Sequence, residues 1–73
     1  MRRRIPENAT KKEILEIIRE RIENEIPYVG IKPYSSNIIS INLRIAAERC
    51  GGNKTANKLI DEFELEDLGW NKE

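Results

Sequence analysis

The fold is decided by residues 36–50, SNIISINLRIAAERC. Apolar residues recur in this stretch at helical spacing, and they fall on two stripes of a helix instead of one. A helix that is apolar over so much of its girth is covered on more than one side, so we predict that it lies buried at the centre of the domain. One stripe consists of Ile39, Leu43, Ala46 and Cys50, and the other consists of Ile38, Ile41 and Ile45.

The ends of this central helix carry residue types that cap helices. Ser35, Ser36 or Asn37 can accept hydrogen bonds from the first backbone N–H groups. Gly51 can adopt the left-handed conformation that ends a helix. Asn42 lies between the two stripes, so we expect it to be partly buried and hydrogen-bonded.

A second helix is predicted before the central one and a third after it. The first helix spans Lys11–Glu25, because Thr10 and Glu13 form a capping box and the residue before Pro27 avoids helical angles. Asn53 is the predicted cap of the third helix. The apolar faces are Ile14, Leu15, Ile18 and Ile22 in the first helix, with Ile17 at its edge, and Ala56, Leu59, Ile60 and Phe63 in the third.

The segment between the first two helices, residues 27–35, is predicted to be an ordered loop. Its two prolines and Gly30 disfavour both a helix and a central strand. It is nevertheless too apolar for a free linker, so we expect it to pack across the helices. Its large apolar residues are Tyr28, Val29, Ile31 and Tyr34.

Length and pattern together predict one all-α domain. We expect three helices with the central one buried, an ordered loop rich in proline, glycine and tyrosine, and a short helical turn at the C terminus. Gly69 is predicted to cap this turn and to bring Trp70 onto Leu65. This domain occupies residues 10–73, and residues 1–9 form a flexible basic arm. A chain of this size buries only about 60% of the surface that its unfolded form exposes. Association into a homodimer would add burial.

Several residue types that catalysis needs are missing. The chain has no histidine and one cysteine, Cys50. Cys50 lies on an apolar stripe, where a buried structural thiol is expected. The carboxylates after Ile60 lack the alternating ligands and the glycine of a calcium loop. We therefore predict no catalytic residue, no metal site and no cofactor. Because no apolar run reaches the ~20 residues of a membrane span, we expect a cytoplasmic protein.

The leading functional hypothesis is a small non-enzymatic protein–protein interaction module with an adaptor or regulatory role. Its partner is another protein or a second copy of the chain. The central helix has more apolar surface than two short helices cover, tyrosine is enriched at binding hot spots, and an acidic C-terminal segment suits a basic partner. The candidate partner-binding residues are Tyr28, Tyr34, Ile38, Ile41, Ile45, Glu64, Glu66 and Asp67.

The alternative hypothesis is a helix-turn-helix-like nucleic-acid-binding module with an N-terminal arginine arm. The formal net charge of zero argues against it, since nucleic-acid binders usually carry a basic excess. Two basic regions on one face can still create a favourable local field. The candidate nucleic-acid-binding residues are Arg2, Arg3, Arg4, Lys11, Lys12, Arg49, Lys54 and Lys58.

One short motif bears on this alternative. Residues 51–56, GGNKTA, resemble the segment that opens the helix-turn-helix of the Fis-like family, the C-terminal module of many bacterial enhancer-binding activators. The resemblance implies DNA binding through a basic recognition helix further along the chain. Residues 64–68 stand at that position here and are rich in carboxylates, which DNA phosphates repel. We therefore interpret the likeness as a shared way of capping a helix with Gly-Gly-Asn.

Overall fold

A computed structural model describes residues 5–72, and all of the regular structure in these residues is helical. Three α-helices follow one another along the chain: α1 (Lys11–Glu25), α2 (Ser35–Cys50) and α3 (Asn53–Glu62). A 3₁₀ helix, Ile26–Tyr28, follows α1 directly, and a second one, Leu65–Leu68, follows α3. The predicted all-α class, with three helices and a short C-terminal turn, is confirmed.

Helix α1 begins and ends where the sequence predicts. The Thr10 hydroxyl accepts a hydrogen bond from the backbone N–H of Glu13 at 3.2 Å. The same hydroxyl donates to the Glu13 carboxylate at 3.1 Å. The two side chains therefore cap the helix reciprocally, although the carboxylate binds the hydroxyl and not the Thr10 backbone.

The buried face of α1 is turned slightly from the predicted one. Ile17, expected at the edge, is only 2% exposed, whereas Leu15 is half-buried. The Arg21 side chain, which lies one turn after Ile17, donates to Asn42 of α2 at 3.4 Å. Helix α2 thus approaches α1 on the side of Ile17, and this approach explains the burial.

Helix α2 starts without the predicted side-chain cap. Tyr34 precedes its first residue, and none of the described side chains caps the helix there. Ser35 is the first helical residue and is completely buried. Its hydroxyl donates to the Glu25 carboxylate at 3.1 Å. The hydroxyl therefore joins the end of α1 to the start of α2 and leaves the N–H groups of its own helix uncapped.

Helix α2 contacts both α1 and α3, but only one of its two stripes is buried throughout. On the other stripe Ile38 is buried and Ile45 is half-buried, whereas Ile41 is 54% exposed. The prediction of a helix covered on both stripes is wrong at Ile41, because α1 and α3, the main neighbours of α2 within residues 5–72, leave that side chain exposed. The stripe that is buried throughout consists of Ile39, Leu43, Ala46 and Cys50.

The amide of Asn42 has the partners that its position requires. Asn42 is 2% exposed. Its Nδ2 donates to the Ile38 carbonyl at 2.8 Å, and its Oδ1 accepts from the Arg21 guanidinium. The predicted hydrogen bonding is confirmed, and it adds a polar link between α1 and α2.

Two glycines connect α2 to α3. Gly51 has a φ of 123°, so the predicted positive φ is confirmed. Gly52 precedes the first residue of α3 with a φ of 82° and a ψ of −164°, a region that is almost restricted to glycine. Asn53, the predicted cap, is instead the first residue of α3. The Thr55 hydroxyl donates to the Cys50 carbonyl at 2.8 Å and satisfies the end of α2.

The C-terminal segment returns to the core after α3. Leu65 is completely buried. Gly69, with a φ of 113°, ends the second 3₁₀ helix, and the Trp70 backbone N–H donates to the Leu65 carbonyl at 3.1 Å. This arrangement matches the predicted glycine cap and places the half-buried Trp70 against the core.

The described part of the predicted arm, residues 5–9, lies against the helices. Ile5 and Ala9 are half-buried on the core, and the Arg49 guanidinium donates to the Glu7 carbonyl at 3.1 Å. The boundary between arm and domain stays a prediction. The arm residues that lie outside the described range are Met1, Arg2, Arg3 and Arg4.

The domain is flat. Its principal extents are 34 × 29 × 15 Å, and the shortest of these is not much larger than one helix with its side chains, about 10–12 Å. A flat domain has a larger surface area for its volume than a spherical one. None of the helices within residues 5–72 has both the length and the apolarity that crossing a membrane requires.

Gly51→Ala should lower the free energy of unfolding by about 2 kcal/mol or more, which urea denaturation followed by circular dichroism measures. An alanine strains this positive φ, and its Cβ would lie 2.9 Å from Thr55 Oγ1 and disturb the Thr55–Cys50 hydrogen bond. Gly69→Ala is the control, since its φ is also positive but no atom lies within 4 Å of the added Cβ. An equal loss of unfolding free energy in the two variants would show that the close contact with Thr55 does not destabilise Gly51→Ala.

Candidate functional site

Most of the exposed large apolar side chains are concentrated in one stretch. Among the described residues there are five such side chains, and four of them lie between residues 28 and 41. The fifth, Leu68, is 39% exposed and lies in the second 3₁₀ helix. We refer to Tyr28, Ile31, Tyr34 and Ile41 as the 28–41 surface.

The loop part of the 28–41 surface is folded by local contacts. The backbone N–H groups of Ile31 and Lys32 both donate to the Tyr28 carbonyl at 2.9 Å. The Lys32 ammonium lies 4.0 Å from the centroid of the Tyr28 ring, in a cation–π contact. The loop is therefore ordered by its own turns. Its predicted packing across the helices is wrong for Ile31 and Tyr34, because turns that close on their own backbone leave these side chains on the outside.

The surface continues along α2 as a strip. Tyr34, Ile38, Ile41 and Ile45 follow one another at intervals of four, three and four residues, which places them on one flank of the helix. Ile38 is buried and Ile45 is half-buried, whereas Tyr34 and Ile41 are exposed. Four of the predicted partner-binding residues lie on this flank, and a fifth, Tyr28, lies in the preceding loop.

The three acidic residues predicted to bind a partner lie in another part of the molecule. Glu64, Glu66 and Asp67 are exposed around the second 3₁₀ helix, whose main contacts are with α3. The Lys72 ammonium lies 2.7 Å from the Asp61 carboxylate and 3.6 Å from the Glu66 carboxylate. The hydrogen bond to Asp61 is the main cause that raises the pKa of Lys72 above its ordinary value. Part of the acidic charge is therefore balanced within the segment.

The predicted nucleic-acid-binding residues are distributed over several elements. Lys11 and Lys12 are exposed in the first turn of α1, and Lys54 and Lys58 are exposed on α3. The Arg49 guanidinium is already bound by the carbonyls of residues 6 and 7. Arg2, Arg3 and Arg4 lie outside the described residues. Nucleic-acid binding stays a prediction.

Sequence reasoning missed a cleft of about 260 Å³ between α2 and α3. The C-terminal segment bounds it, and the contact between this segment and α2 joins residues that are 30 positions apart. No local pattern in the sequence indicates such a contact. The cleft is lined by Ser40, Leu43, Arg44 and Ala47 of α2, by Asn53, Ala56, Asn57 and Ile60 of α3, and by Trp70 and Asn71.

Trp70 forms one wall of this cleft. Its indole Nε1–H donates to the Ser40 hydroxyl at 3.1 Å, and this bond attaches the C-terminal segment to α2. Trp70 is the only tryptophan of the chain, so its fluorescence reports on the cleft alone. Sequence reasoning predicted that Trp70 packs on Leu65 across the Gly69 turn, but not its hydrogen bond to α2.

The side chains that could bind a metal ion or act as a nucleophile are not grouped. Within residues 5–72 no three His, Cys, Asp or Glu residues lie close enough together to hold a metal ion. Cys50 is buried, and its thiol lies 3.9 Å from the Lys11 carbonyl. This placement agrees with the predicted structural thiol.

Comparison of the chain with protein-family models, with curated proteins and with solved structures gave no match.

Ser40→Ala removes the acceptor of the indole N–H, so Trp70 should become more exposed. We expect a red shift of its emission maximum and a loss of about 1 kcal/mol in the free energy of unfolding. Fluorescence spectra and urea denaturation measure the two effects. Ser36→Ala, on an exposed residue one turn earlier, is the matched control and should change neither. An unshifted spectrum in Ser40→Ala would mean that this hydrogen bond does not hold Trp70.

Proposed function

We propose that this chain is a non-enzymatic protein-interaction module that associates with a second copy of itself through the 28–41 surface. The observation that supports this most is the concentration of exposed Tyr28, Ile31, Tyr34 and Ile41 within one stretch. Adjacent exposed apolar side chains mark interaction sites on soluble proteins, and tyrosine is enriched at binding hot spots.

Charge favours a second copy as the partner. The formal net charge of the chain is zero, so two copies have no net repulsion. The strip on α2 has Lys32 near one end and the exposed Glu48 near the other. When two strips cross antiparallel at Ile41 about a two-fold axis, the Lys32 end of each copy lies beside the Glu48 end of the other. Opposite charges then meet on both sides of an apolar centre.

Burial gives the energetic reason for this dimer. The domain is only 15 Å thick in its shortest dimension, and α1 and α3 leave Ile41 largely exposed. Complete burial of an isoleucine side chain contributes about 1.5–3 kcal/mol. A second copy on the 28–41 surface supplies the cover that the chain lacks on this flank of α2.

The proposal includes a cytoplasmic location and an adaptor or regulatory role. Cys50 is the only cysteine, so the fold needs no oxidising compartment to form an internal disulfide. The regulatory role is proposed because the 28–41 surface would bind a partner reversibly, without a chemical reaction.

Ile41→Glu should convert the dimer into a monomer with an unchanged helical circular dichroism spectrum, because it places two carboxylates opposite each other at the two-fold axis. Sedimentation equilibrium measures the mass. The matched control is Leu68→Glu, which adds the same charge at an exposed apolar residue outside the 28–41 surface and should leave the dimer intact.

Two results would contradict the proposal. One is a wild-type chain that stays monomeric at about 1 mM, where an association of about 4 kcal/mol is half complete. The other is a dimer that survives Ile41→Glu, since the contact would then lie elsewhere on the chain.

A further inference from the structure

The floor of the cleft between α2 and α3 is apolar. Leu43 and Ile60 are buried, and Ala47 and Ala56 are half-buried. The two alanines keep the floor open where longer side chains would fill it. The resulting volume of about 260 Å³ is slightly below the ~300–1,000 Å³ of sites for drug-sized molecules, so the fitting ligand is small.

One charged side chain lines this cleft. Arg44 is exposed, and within residues 5–72 it has no ion-pair or hydrogen-bond partner. None of the lining residues is acidic. A guanidinium matches the planar fork of a carboxylate with two parallel hydrogen bonds. A single guanidinium balances a single negative charge, which favours a carboxylate over a doubly charged phosphate.

The first turn of α3 adds to this preference. Asn53, its first residue, lines the cleft, and no described side chain caps the helix at that end. The first N–H groups of a ten-residue helix carry a partial positive charge that attracts anions. The Asn71 amide on the opposite rim offers a further donor.

We infer that the cleft binds a small carboxylate with an apolar side group, present either as a free organic acid or as the C-terminal residue of a peptide. The carboxylate binds Arg44 beside the first turn of α3, and the apolar group lies on the alanine floor next to Trp70. The cleft uses Ser40, Arg44 and Ala47 of α2, whereas the proposed dimer uses the flank that contains Ile41. The two sites share no residue, and Arg44 lies one helical turn from both Ile41 and Glu48.

A titration of Trp70 fluorescence tests the inference directly. The probes are N-acetyl-leucine, a short peptide that ends in leucine, and N-acetyl-leucinamide, which has the same side group without the charge. We expect a saturable change with both carboxylates and binding of the amide that is weaker by about tenfold or more. Tighter binding of the peptide identifies a polypeptide C terminus as the source, and equal binding identifies a free acid.

Two variants test separately how the charge of Arg44 and the volume of the cleft contribute to binding. Arg44→Gln should weaken the binding of N-acetyl-leucine by about tenfold or more, and Ala56→Leu should abolish it by filling the floor. Lys58→Gln removes an exposed cation of α3 outside the cleft and is the matched control. Circular dichroism checks that each variant is folded.

Three outcomes would overturn the inference. These are the absence of a saturable change with either carboxylate, equal affinity for the acid and its amide, and unchanged binding in a folded Arg44→Gln variant. None of them depends on whether the chain is a monomer or a dimer, so they leave the proposed self-association untouched.

Discussion

The packing of α1 and α3 onto one stripe of α2 is the contact on which the rest of the structure depends. Ile39 and Ala46 in this stripe are completely buried. Two helices cover only part of the circumference of a third, so the other flank of α2 is covered incompletely: Ile38 is buried and Ile45 is half-buried, but Ile41 is exposed. The exposure of Ile41 follows from this geometry. Only the Ile41 part of the 28–41 surface follows from this packing, since Tyr28, Ile31 and Tyr34 precede α2 in a loop that closes on its own backbone.

Polar side chains add directional contacts to the apolar packing of α2. Asn42 binds Arg21 of α1 on one side of the helix, and Ser40 binds the Trp70 indole on another. Each bond is worth only about 1 kcal/mol, less than the burial of a single large apolar side chain. Their directionality nevertheless favours one rotation of α2 about its axis over others of similar apolar burial. The same rotation leaves Arg44 beside the cleft without an acidic partner.

The helix bounds could be predicted because they depend on neighbours in sequence. The capping box at Thr10 and the positive φ of Gly51 each involve residues a few positions apart. The start of α2 could not be predicted this way, because the Ser35 hydroxyl binds Glu25 across the loop instead of its own helix. Periodicity identified both apolar stripes of α2, but how many helices cover them depends on tertiary packing. The cleft depends on the long-range contact between Trp70 and Ser40. The one local sequence signal for this contact was the predicted cap at Gly69, which turns the chain back.

Adjacent residues of α2 have opposite environments, because α1 and α3 cover the stripe that contains Leu43 and leave Arg44 exposed. Circular dichroism of Leu43→Asp and Arg44→Asp tests it most directly, since the two variants place the same carboxylate one residue apart on the same helix. Leu43 is buried, and an unpaired charge there should abolish the helical signal, whereas the exposed Arg44 position should accept the carboxylate and keep it. A Leu43→Asp chain that retains its full helical signal would contradict the account.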